Sequence, residues 1–314
     1  MIPEHTAFIF PGQGSQALGM GRDLAEAYPG ARDIFAQADQ ILGFPISQLA
    51  WEGPEELLND TINTQPALLI HSVAVLRVFQ KNFPKIKPVF VAGHSMGELS
   101  ALVAAEALAY PDALLLVRKR GELMKEAGDH SPGGMAAIVG MDIPTLEKIC
   151  EEASTPDEAV QVANDNCPGQ VVISGANLAL GRALLTAEQA GARRIIRLAV
   201  SIAAHSPLMV RAQQAFIQAV DAAPFHSPSI PIIGNVNAHP LTAVEQIRAD
   251  LKAQLTNRVR WTESVQYMIA QGVTTFLELG SGSVLSGLVK RIDRQINGIP
   301  LSTPSDIEKL ASDH

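Results

Sequence analysis

Residues 93–97 read Gly-His-Ser-Met-Gly and match G-x-S-x-G, the pattern of a nucleophile elbow. In an elbow the serine lies on a sharp turn between a strand and a helix, and the two glycines permit the close packing of that turn. The context fits, because the strand-like run 89–92 precedes the motif and helix formers at 98–108 follow it. Ser95 is therefore predicted to be a nucleophile for acyl groups; a structural strand-to-helix turn is the alternative.

An acyl-transfer serine also requires donors for the oxyanion that forms on the attacked carbonyl group. The elbow supplies the backbone N–H of Met96, and a second N–H must come from another loop. Residues 12–16 (GQGSQ) follow the apolar run 6–10 and are the candidate for that loop. They do not form a dinucleotide-binding loop, because the third glycine of G-x-G-x-x-G is replaced by Ala17. A plain turn at the end of a strand is the alternative.

The serine needs a general base, and histidine is the side chain best tuned for that role near neutral pH. His205 follows the strand-like run 197–200 and precedes a predicted helix over 206–222, a position where catalytic groups of α/β proteins gather. His94 is expected to point away from the serine on the tight turn, and His71 to pack on an apolar helix. The other histidines lie in polar, loop-like or terminal segments: His5, His130, His226, His239 and His314.

The composition excludes several classes of function. A formal charge of −8 and a pI near 5.5 argue against a broad nucleic-acid surface. The two cysteines, Cys150 and Cys167, form no CxxC and no cluster with histidine, so no disulfide framework and no metal site are expected. The first residues lack a basic region followed by an apolar run, and no stretch approaches about 18 uncharged apolar residues. We expect a cytoplasmic protein that does not enter a membrane.

The order of elements predicts an α/β fold. A helix over 66–80, with Pro66 in its first turn, precedes the elbow strand, and residues 131–134 (SPGG) mark a break. Residues 135–200 then alternate as β-α-β-β-α-β, the ferredoxin-like pattern. We predict two domains: an α/β-hydrolase-like catalytic domain with a mostly parallel sheet (residues 1–130 and 201–314) and a small ferredoxin-like insert (residues 131–200).

Short motifs in a fixed order extend over residues 6–292. They are residues 10–16 (FPGQGSQ), 64–67 (TQPA), 93–98 (GHSMGE), 120–124 (RGELM), 134–137 (GMAA), 166–175 (NCPGQVVISG), 205–209 (HSPLM) and 254–261 (QLTNRVRW). In this order and spacing the chain resembles the malonyl-CoA:acyl carrier protein transacylase family. Each motif alone is weak evidence, but eight in the family's order are a strong signal.

The resemblance implies roles for individual residues. It implies that His205 is the base and that the backbone carbonyl of Gln254 holds its imidazole, so that no aspartate is needed. It also implies that Arg120 pairs with the free carboxylate of a malonyl group, a bidentate contact that lysine does not reproduce. Without the resemblance, the basic run 118–120 would be a solvated helix face. Three more residues resemble pocket-lining residues of the family, with a helix start, a loop or the core as the structural alternative: Gln65, Asn166 and Met124.

Two segments depart from the family's pattern. Residues 201–204 (SIAA) precede the histidine, where relatives commonly carry proline and serine, or phenylalanine. Ala204 is expected to enlarge or reshape the pocket beside the acyl α-carbon. Residues 280–283 (GSGS) lack the usual proline and lysine, which removes one basic contact to an acidic carrier. Choice of acyl group and carrier is therefore less constrained by the sequence than the reaction class.

These residues predict a ping-pong acyltransferase that needs no cofactor. Ser95 attacks malonyl-CoA while His205 takes its proton, and the N–H groups of Met96 and Gln13 stabilise the oxyanion. The phosphopantetheine thiol of an acyl carrier protein then takes the acyl group. We expect a monomer whose carrier-docking patch is formed by four basic residues: Arg193, Arg194, Lys290 and Arg291.

Other functions use the same elbow. In an esterase or thioesterase, water would resolve the acyl-enzyme. A free-standing polyketide acyltransferase or a malonate decarboxylase acyltransferase would run the same chemistry with another acyl group. A degenerate docking module is a further alternative, and the joint presence of Ser95, His205 and Arg120 argues against it.

Overall fold

The computed structural model describes residues 5–312. The sequence predictions for the first four residues and for His314 concern positions outside this range. Within it, the chain forms ten strands: β1 (Thr6–Phe10), β2 (Phe90–Gly93), β3 (Gly133–Val139), β4 (Val160–Cys167), β5 (Gln170–Ala176), β6 (Arg194–Arg197), β7 (Ile232–Ile233), β8 (Pro240–Leu241), β9 (Thr275–Leu279) and β10 (Asn297–Leu301).

Helices connect these strands. The first seven are α1 (Arg22–Ala27), α2 (Pro29–Leu42), α3 (Ile46–Glu52), α4 (Glu55–Asn59), α5 (Thr61–Asn82), α6 (Gly97–Ala104) and α7 (Tyr110–His130). The others are α8 (Ile143–Ala153), α9 (Asn177–Gln189), α10 (Val210–Ala222), α11 (Val244–Gln254), α12 (Trp261–Ala270), α13 (Val284–Ile292) and α14 (Pro304–Ser312).

A large sheet has the strand order β10-β9-β1-β2-β7-β8, and every neighbouring pair except β7-β8 is parallel. Its central strand β1 is buried on both faces, as is usual in parallel sheets covered by helices. Phe8 and Phe10 pack in the main core, whereas Ala7 and Ile9 face a second core around Trp261. The mostly parallel α/β fold predicted from the sequence is confirmed.

A small sheet has the order β4-β5-β3-β6 and is antiparallel throughout. Its strands and helices α8 and α9 follow one another as β-α-β-β-α-β along the chain. The sheet contacts the rest of the protein at Val259, whose N–H donates to the carbonyl of Ala163 and whose carbonyl accepts from the N–H of Asp165. The division into a large domain and a ferredoxin-like insert, with its boundaries, stays a prediction.

Helix α5 begins five residues earlier than predicted, so Pro66 lies inside it and not in its first turn. Asp60 caps this helix, accepting a hydrogen bond from the N–H of Ile62 at 3.2 Å. Proline has no N–H to donate to the carbonyl of Ile62. Arg118 of α7 donates to that carbonyl at 3.1 Å instead, which compensates for the proline.

The same helix α5 is long and apolar enough to cross a membrane by length and composition. However, 83% of its most apolar window is buried inside the protein, as is usual for the core helix of a folded domain. Within residues 5–312 it is the one helix that meets this test.

Candidate active site

Ser95 lies on the turn between β2 and α6 with a φ of 52°, a left-handed conformation that is rare for serine. Both glycines of the motif are required because neither position has room for a side chain. A Cβ on Gly93 would lie 1.9 Å from the carbonyl carbon of Gly97, and a Cβ on Gly97 would lie 2.3 Å from the carbonyl oxygen of Phe10. The motif therefore forms the sharp strand-to-helix turn that its pattern predicts.

The side chain of Asn235 stabilises this strained turn with two hydrogen bonds. Its side-chain oxygen accepts from the N–H of Ser95 at 2.7 Å, and its Nδ2 donates to the carbonyl of Gly93 at 2.8 Å. Asn235 is buried, so these bonds are shielded from water. Sequence reasoning missed this residue, which lies in none of the eight motifs.

Ser95 and His205 form a hydrogen-bonded pair, with 2.7 Å between Ser95 Oγ and His205 Nε2. The imidazole Nδ1 lies 2.9 Å from the carbonyl oxygen of Gln254 and 3.1 Å from that of Asn257. Because both carbonyls are acceptors, Nδ1 carries the proton, and Nε2 presents its lone pair to the serine hydroxyl. Two backbone carbonyls thus occupy the place that an aspartate has in a catalytic triad.

His205 is buried and unprotonated at neutral pH. Burial, and secondly the cation of Arg120, lower the pKa of His205 to about 3, although the Gln254 carbonyl acts in the opposite direction. A neutral imidazole is the form that can accept the serine proton.

Arg120 of α7 is 1% exposed and contacts the serine. Its Nη2 donates to Ser95 Oγ at 3.1 Å and to Gln254 Oε1 at 2.9 Å. Its Nη1 donates to Gln65 Oε1 at 2.8 Å, while its buried Nε has no partner within residues 5–312. Burial lowers the pKa of Arg120 to about 10, so the guanidinium stays charged at neutral pH. A buried cation next to the nucleophile suits a substrate with its own carboxylate.

The two residues predicted to supply the oxyanion donors, Gln13 and Met96, line the same cavity as Ser95. Gly12 lies against the carbonyl of His94, and Thr61 donates to Gln13 Oε1 at 2.9 Å, which fixes the loop. In the described part of the chain, no hydrogen bond uses the N–H of Gln13 or that of Met96. Both amides are therefore available to a ligand oxygen.

The site opens into a cavity of about 380 Å³ between the two sheets. Seven of the residues singled out from the sequence line it: Gln13, Ser95, Met96, Arg120, Met124, Ala204 and His205. Lining residues that sequence reasoning missed include Asn59, Thr61, Met135 and Asn164. Of these four, Met135 belongs to the motif 134–137, and the other three lie outside the eight motifs.

Gln65 and Asn166 lie behind the cavity wall and do not line it, in contrast to the expectation for both. Gln65 is fully buried and bonds Arg120, and its Nε2 donates to Thr61 Oγ1 at 2.8 Å. Asn166 accepts from His94 Nε2 at 2.8 Å. The ring of His94 makes this bond, packs against Trp261 and also lines the cavity. Gln65 thus bonds Arg120 and Asn166 bonds His94, and both of these partners line the cavity.

A second cleft, of about 630 Å³, lies between the small sheet and α13. The four basic residues predicted as a docking patch line it together with Arg294. We call it the basic cleft, and its basic members are Arg193, Arg194, Lys290, Arg291 and Arg294. Against a net charge of −8, it is a local positive surface.

The described residues include no cluster of candidate metal ligands and two buried thiols. No group of three or more His, Cys, Asp or Glu side chains in this range is arranged to hold a metal ion. Cys150 and Cys167 are free and buried, and burial raises the pKa of both thiols.

Known proteins similar to this chain are acyltransferases. The sequence model of the acyl transferase domain matches residues 7–303. A malonyl CoA-acyl carrier protein transacylase from Bacillus subtilis is 47% identical over 302 residues, covering 96% of this chain and 95% of the relative. The chain belongs to the malonyl CoA-acyl carrier protein transacylase family.

Solved structures of this family have the same fold. The malonyl CoA-acyl carrier protein transacylase of Coxiella burnetii superposes with a TM-score of 0.95 at 41% identity, covering 99% of this chain and 98% of that one. A complex of a type II PKS acyl-carrier protein with its malonyl-transacylase also gives 0.95 at 41% identity, covering 99% and 100%. Family membership therefore extends over the whole described fold, including both sheets.

Proposed function

We propose that this protein transfers a malonyl group from coenzyme A to the phosphopantetheine thiol of an acyl carrier protein through an ester on Ser95. One observation carries the proposal: Ser95 Oγ lies 2.7 Å from His205 Nε2 and 3.1 Å from Arg120 Nη2. The nucleophile thus has a neutral base on one side and a buried cation on the other. The names of the relatives, malonyl CoA-acyl carrier protein transacylases, support the same substrates.

In the first half-reaction, Ser95 Oγ attacks the thioester carbonyl carbon while its proton passes to His205 Nε2. The carbonyl oxygen becomes an oxyanion, which the amides of Gln13 and Met96 stabilise. When the C–S bond breaks, the imidazolium returns the proton to the leaving sulfur, and free coenzyme A departs. Arg120 releases its contact to the serine hydroxyl and pairs with the malonyl carboxylate.

The second half-reaction reverses the first with another thiol. His205 takes the proton of the carrier's phosphopantetheine thiol, the sulfur attacks the ester carbonyl, and Ser95 leaves with the proton restored. The enzyme returns to its starting state with no cofactor consumed.

We also propose the carrier's docking surface and the cellular setting. The basic cleft offers the positive surface that an acidic carrier protein requires. In the related complex, a type II PKS acyl-carrier protein is bound to its malonyl-transacylase, so a carrier of fatty acid or polyketide synthesis is the proposed partner. Two free, buried thiols fit the reducing cytoplasm. We propose that the protein acts as a monomer.

The experiment is intact-mass analysis after incubation with malonyl-CoA, with and without a phosphopantetheinylated carrier. We expect one malonyl adduct on the peptide that contains Ser95, removed upon addition of carrier and absent in Ser95→Ala. Malonyl transfer by Ser95→Ala at the wild-type rate would contradict the mechanism. Hydrolysis of the adduct in water as fast as its transfer to carrier would favour a thioesterase.

A further inference from the structure

Two buried acids lie directly behind the active site. Glu98 of α6 is 0% exposed and Asp250 of α11 is 4% exposed. Their carboxyl groups are neighbours, because Glu98 Oε2 and Asp250 Oδ2 both accept from the N–H of Asn235, at 3.3 and 3.2 Å. Two carboxylates this close together in a buried site repel each other, which favours a proton on one of them. The pair therefore holds one proton and carries one negative charge.

The surrounding donors decide which acid holds the proton. Both oxygens of Asp250 accept from backbone amides, Oδ1 from Val236 and Oδ2 from Asn235, each at 3.2 Å. Glu98 Oε2 accepts from Gln254 Nε2 at 2.9 Å and from the N–H of Asn235 at 3.3 Å. Glu98 Oε1 has no hydrogen-bond partner within residues 5–312, whereas both oxygens of Asp250 accept a bond. A proton on Glu98 Oε1 leaves all of these bonds in place, so Glu98 is the acid that holds it.

Two hydrogen bonds connect Glu98 through Gln254 to Arg120, the arginine proposed to bind the acyl carboxylate. Gln254 Oε1 accepts from Arg120 Nη2 at 2.9 Å, and Gln254 Nε2 donates to Glu98. The amide has one orientation that satisfies both neighbours, because arginine can only donate. Both donors then point the same way, from Arg120 to Gln254 and from Gln254 to Glu98, which lies next to Asp250. Hydrogen bonds aligned in this way strengthen one another in a buried site.

We propose that Glu98 is a protonated positioning residue that orients Gln254, and through it Arg120, for the acyl carboxylate. This inference rests on the proposed function for its substrate. The arrangement links a cation, Arg120, to an anion, Asp250, through two neutral side chains.

In this arrangement no carboxylate of the described residues bonds Arg120 directly, which leaves the guanidinium free for the carboxylate of the substrate. A carboxylate bound directly to the guanidinium would compete with the carboxylate of the substrate. Here the guanidinium is oriented by neutral acceptors, the oxygens of Gln65, Gln254 and Ser95. The compensating negative charge is held two side chains away. Burial and the neighbouring Asp250 raise the pKa of Glu98 well above its ordinary range, in agreement with this arrangement.

The decisive variant is Glu98→Gln. The glutamine oxygen can accept from Gln254, and its amide N–H can donate to Asp250, so the direction of every bond is kept. We expect the net charge of the native protein at pH 7.5 to stay unchanged, measured by capillary electrophoresis. The malonyl-CoA KM and kcat should stay within about threefold of wild type, since the hydrogen bonds are retained. Glu98→Gln combined with Asp250→Asn should raise the native charge by about one unit, because the pair's remaining anion is removed.

Controls separate this inference from a merely structural role. Glu122→Gln, at an exposed glutamate of α7, should raise the native charge by about one unit and calibrate the measurement. Glu98→Leu removes the acceptor of Gln254 and should raise the malonyl-CoA KM by about tenfold while changing the acetyl-CoA KM less. If Glu98→Leu fails to fold, the native charge of Glu98→Gln still tests whether Glu98 is protonated.

A rise of one charge unit in native Glu98→Gln would show that Glu98 is ionised and would overturn the proposal. A tenfold rise in its malonyl-CoA KM at unchanged charge would overturn it as well. Failure of the proposed function would look different, because wild-type protein would then form no malonyl ester while the charge measurements stayed as expected.

Discussion

Gly12 lies so close to His94 that a Cβ at position 12 would come within 2.4 Å of the His94 carbonyl oxygen. This contact joins the loop after β1 to the nucleophile elbow. It also sets the separation between the N–H of Gln13, which follows Gly12, and the N–H of Met96 beyond the serine. The geometry of the proposed oxyanion hole therefore depends on the absence of a side chain at position 12.

Gly12→Ala should displace the loop and weaken oxyanion stabilisation. We expect kcat to fall by about tenfold or more in both half-reactions, approaching the effect of removing one donor. Gly287→Ala is the matched control, since a Cβ at that position of α13 meets nothing within 4 Å. Stopped-flow measurement of malonyl loading and of carrier transfer tests the prediction. Unchanged rates for Gly12→Ala at wild-type stability would show that Gln13 does not serve as a donor.

His205 and His94 should behave differently when replaced. His205→Ala should slow loading and carrier transfer by about 10²–10⁴-fold, the usual contribution of a general base. His94→Ala loses the bond to Asn166 and the contact of its ring with Trp261, so its main effect should be on stability. Rates and thermal unfolding of both variants are the measurement. A greater loss of rate in His94→Ala, at an unchanged unfolding temperature, would assign the base to His94.

The lowered pKa of His205 predicts the acid limb of the pH profile. Because its pKa is about 3 in the folded protein, the base stays unprotonated far below the usual 6.5. We expect kcat/KM for malonyl loading to show no His205 limb between pH 5 and 7. The Arg120 cation contributes to the lowering, so Arg120→Ala should raise this pKa and move the limb to higher pH, measured with acetyl-CoA. A wild-type limb near 6.5 would contradict the prediction.

The same shift has a consequence for stability. Between its unfolded pKa of 6.5 and its folded value of about 3, the unfolded chain binds a proton that the folded protein does not. The contribution of this residue to the free energy of unfolding is therefore full above pH 6.5 and declines as the pH falls. The decline should be weaker in His205→Ala, measured by denaturant unfolding at pH 5 and pH 7.5.

The basic cleft should affect binding of the carrier protein but not the loading of Ser95 from malonyl-CoA. Arg193→Glu together with Arg194→Glu should raise the carrier KM by about tenfold, since opposite charges steer and hold the partners. Lys148→Glu is the control, because this lysine is exposed on α8 outside the cleft. Transfer rates against carrier concentration, at low and high salt, give the measurement. An equal loss of malonyl loading would assign the cleft to coenzyme A or to the fold.

The elbow was predictable because its requirements are local. Strand, glycines, serine and helix follow one another in the sequence, and the packing of Gly93 on Gly97 joins residues four positions apart. The start of α5 was not predictable in this way. The missing N–H of Pro66 is compensated by Arg118, which belongs to another helix.

The same reasoning explains which site residues were missed. Asn235, Glu98 and Asp250 act through contacts between elements that are far apart in the sequence. An acid on a helix usually faces solvent, so nothing in the local pattern indicated a buried pair. Gln65 and Asn166 were placed in the pocket by resemblance, yet they hold Arg120 and His94 from behind. Motif spacing identified the chemistry, whereas the supporting contacts required the fold.

Arg120 should determine which acyl group is transferred. An acetyl group has no carboxylate and leaves the buried guanidinium without an anionic partner, whereas a malonyl group supplies one. Wild type should therefore favour malonyl-CoA over acetyl-CoA by several kcal/mol in kcat/KM, given about 1.5–3 kcal/mol for each charge-assisted bond. Arg120→Ala should sharply lower malonyl transfer and raise acetyl transfer relative to it. Equal wild-type rates for both acyl groups, unchanged in Arg120→Ala, would refute carboxylate recognition by Arg120.

Ala204 adds a second test of acyl choice, because it lines the cavity next to His205 with a small side chain. If the free space lies beside the acyl α-carbon, methylmalonyl-CoA should be accepted in part. Ala204→Phe would fill that space, so methylmalonyl transfer should fall before malonyl transfer does. The measurement is kcat/KM for acetyl-, malonyl- and methylmalonyl-CoA with one carrier, for wild type, Arg120→Ala and Ala204→Phe. If Ala204→Phe lowers malonyl and methylmalonyl transfer by the same factor, residue 204 does not discriminate at the α-carbon, and its bulk acts on His205 instead.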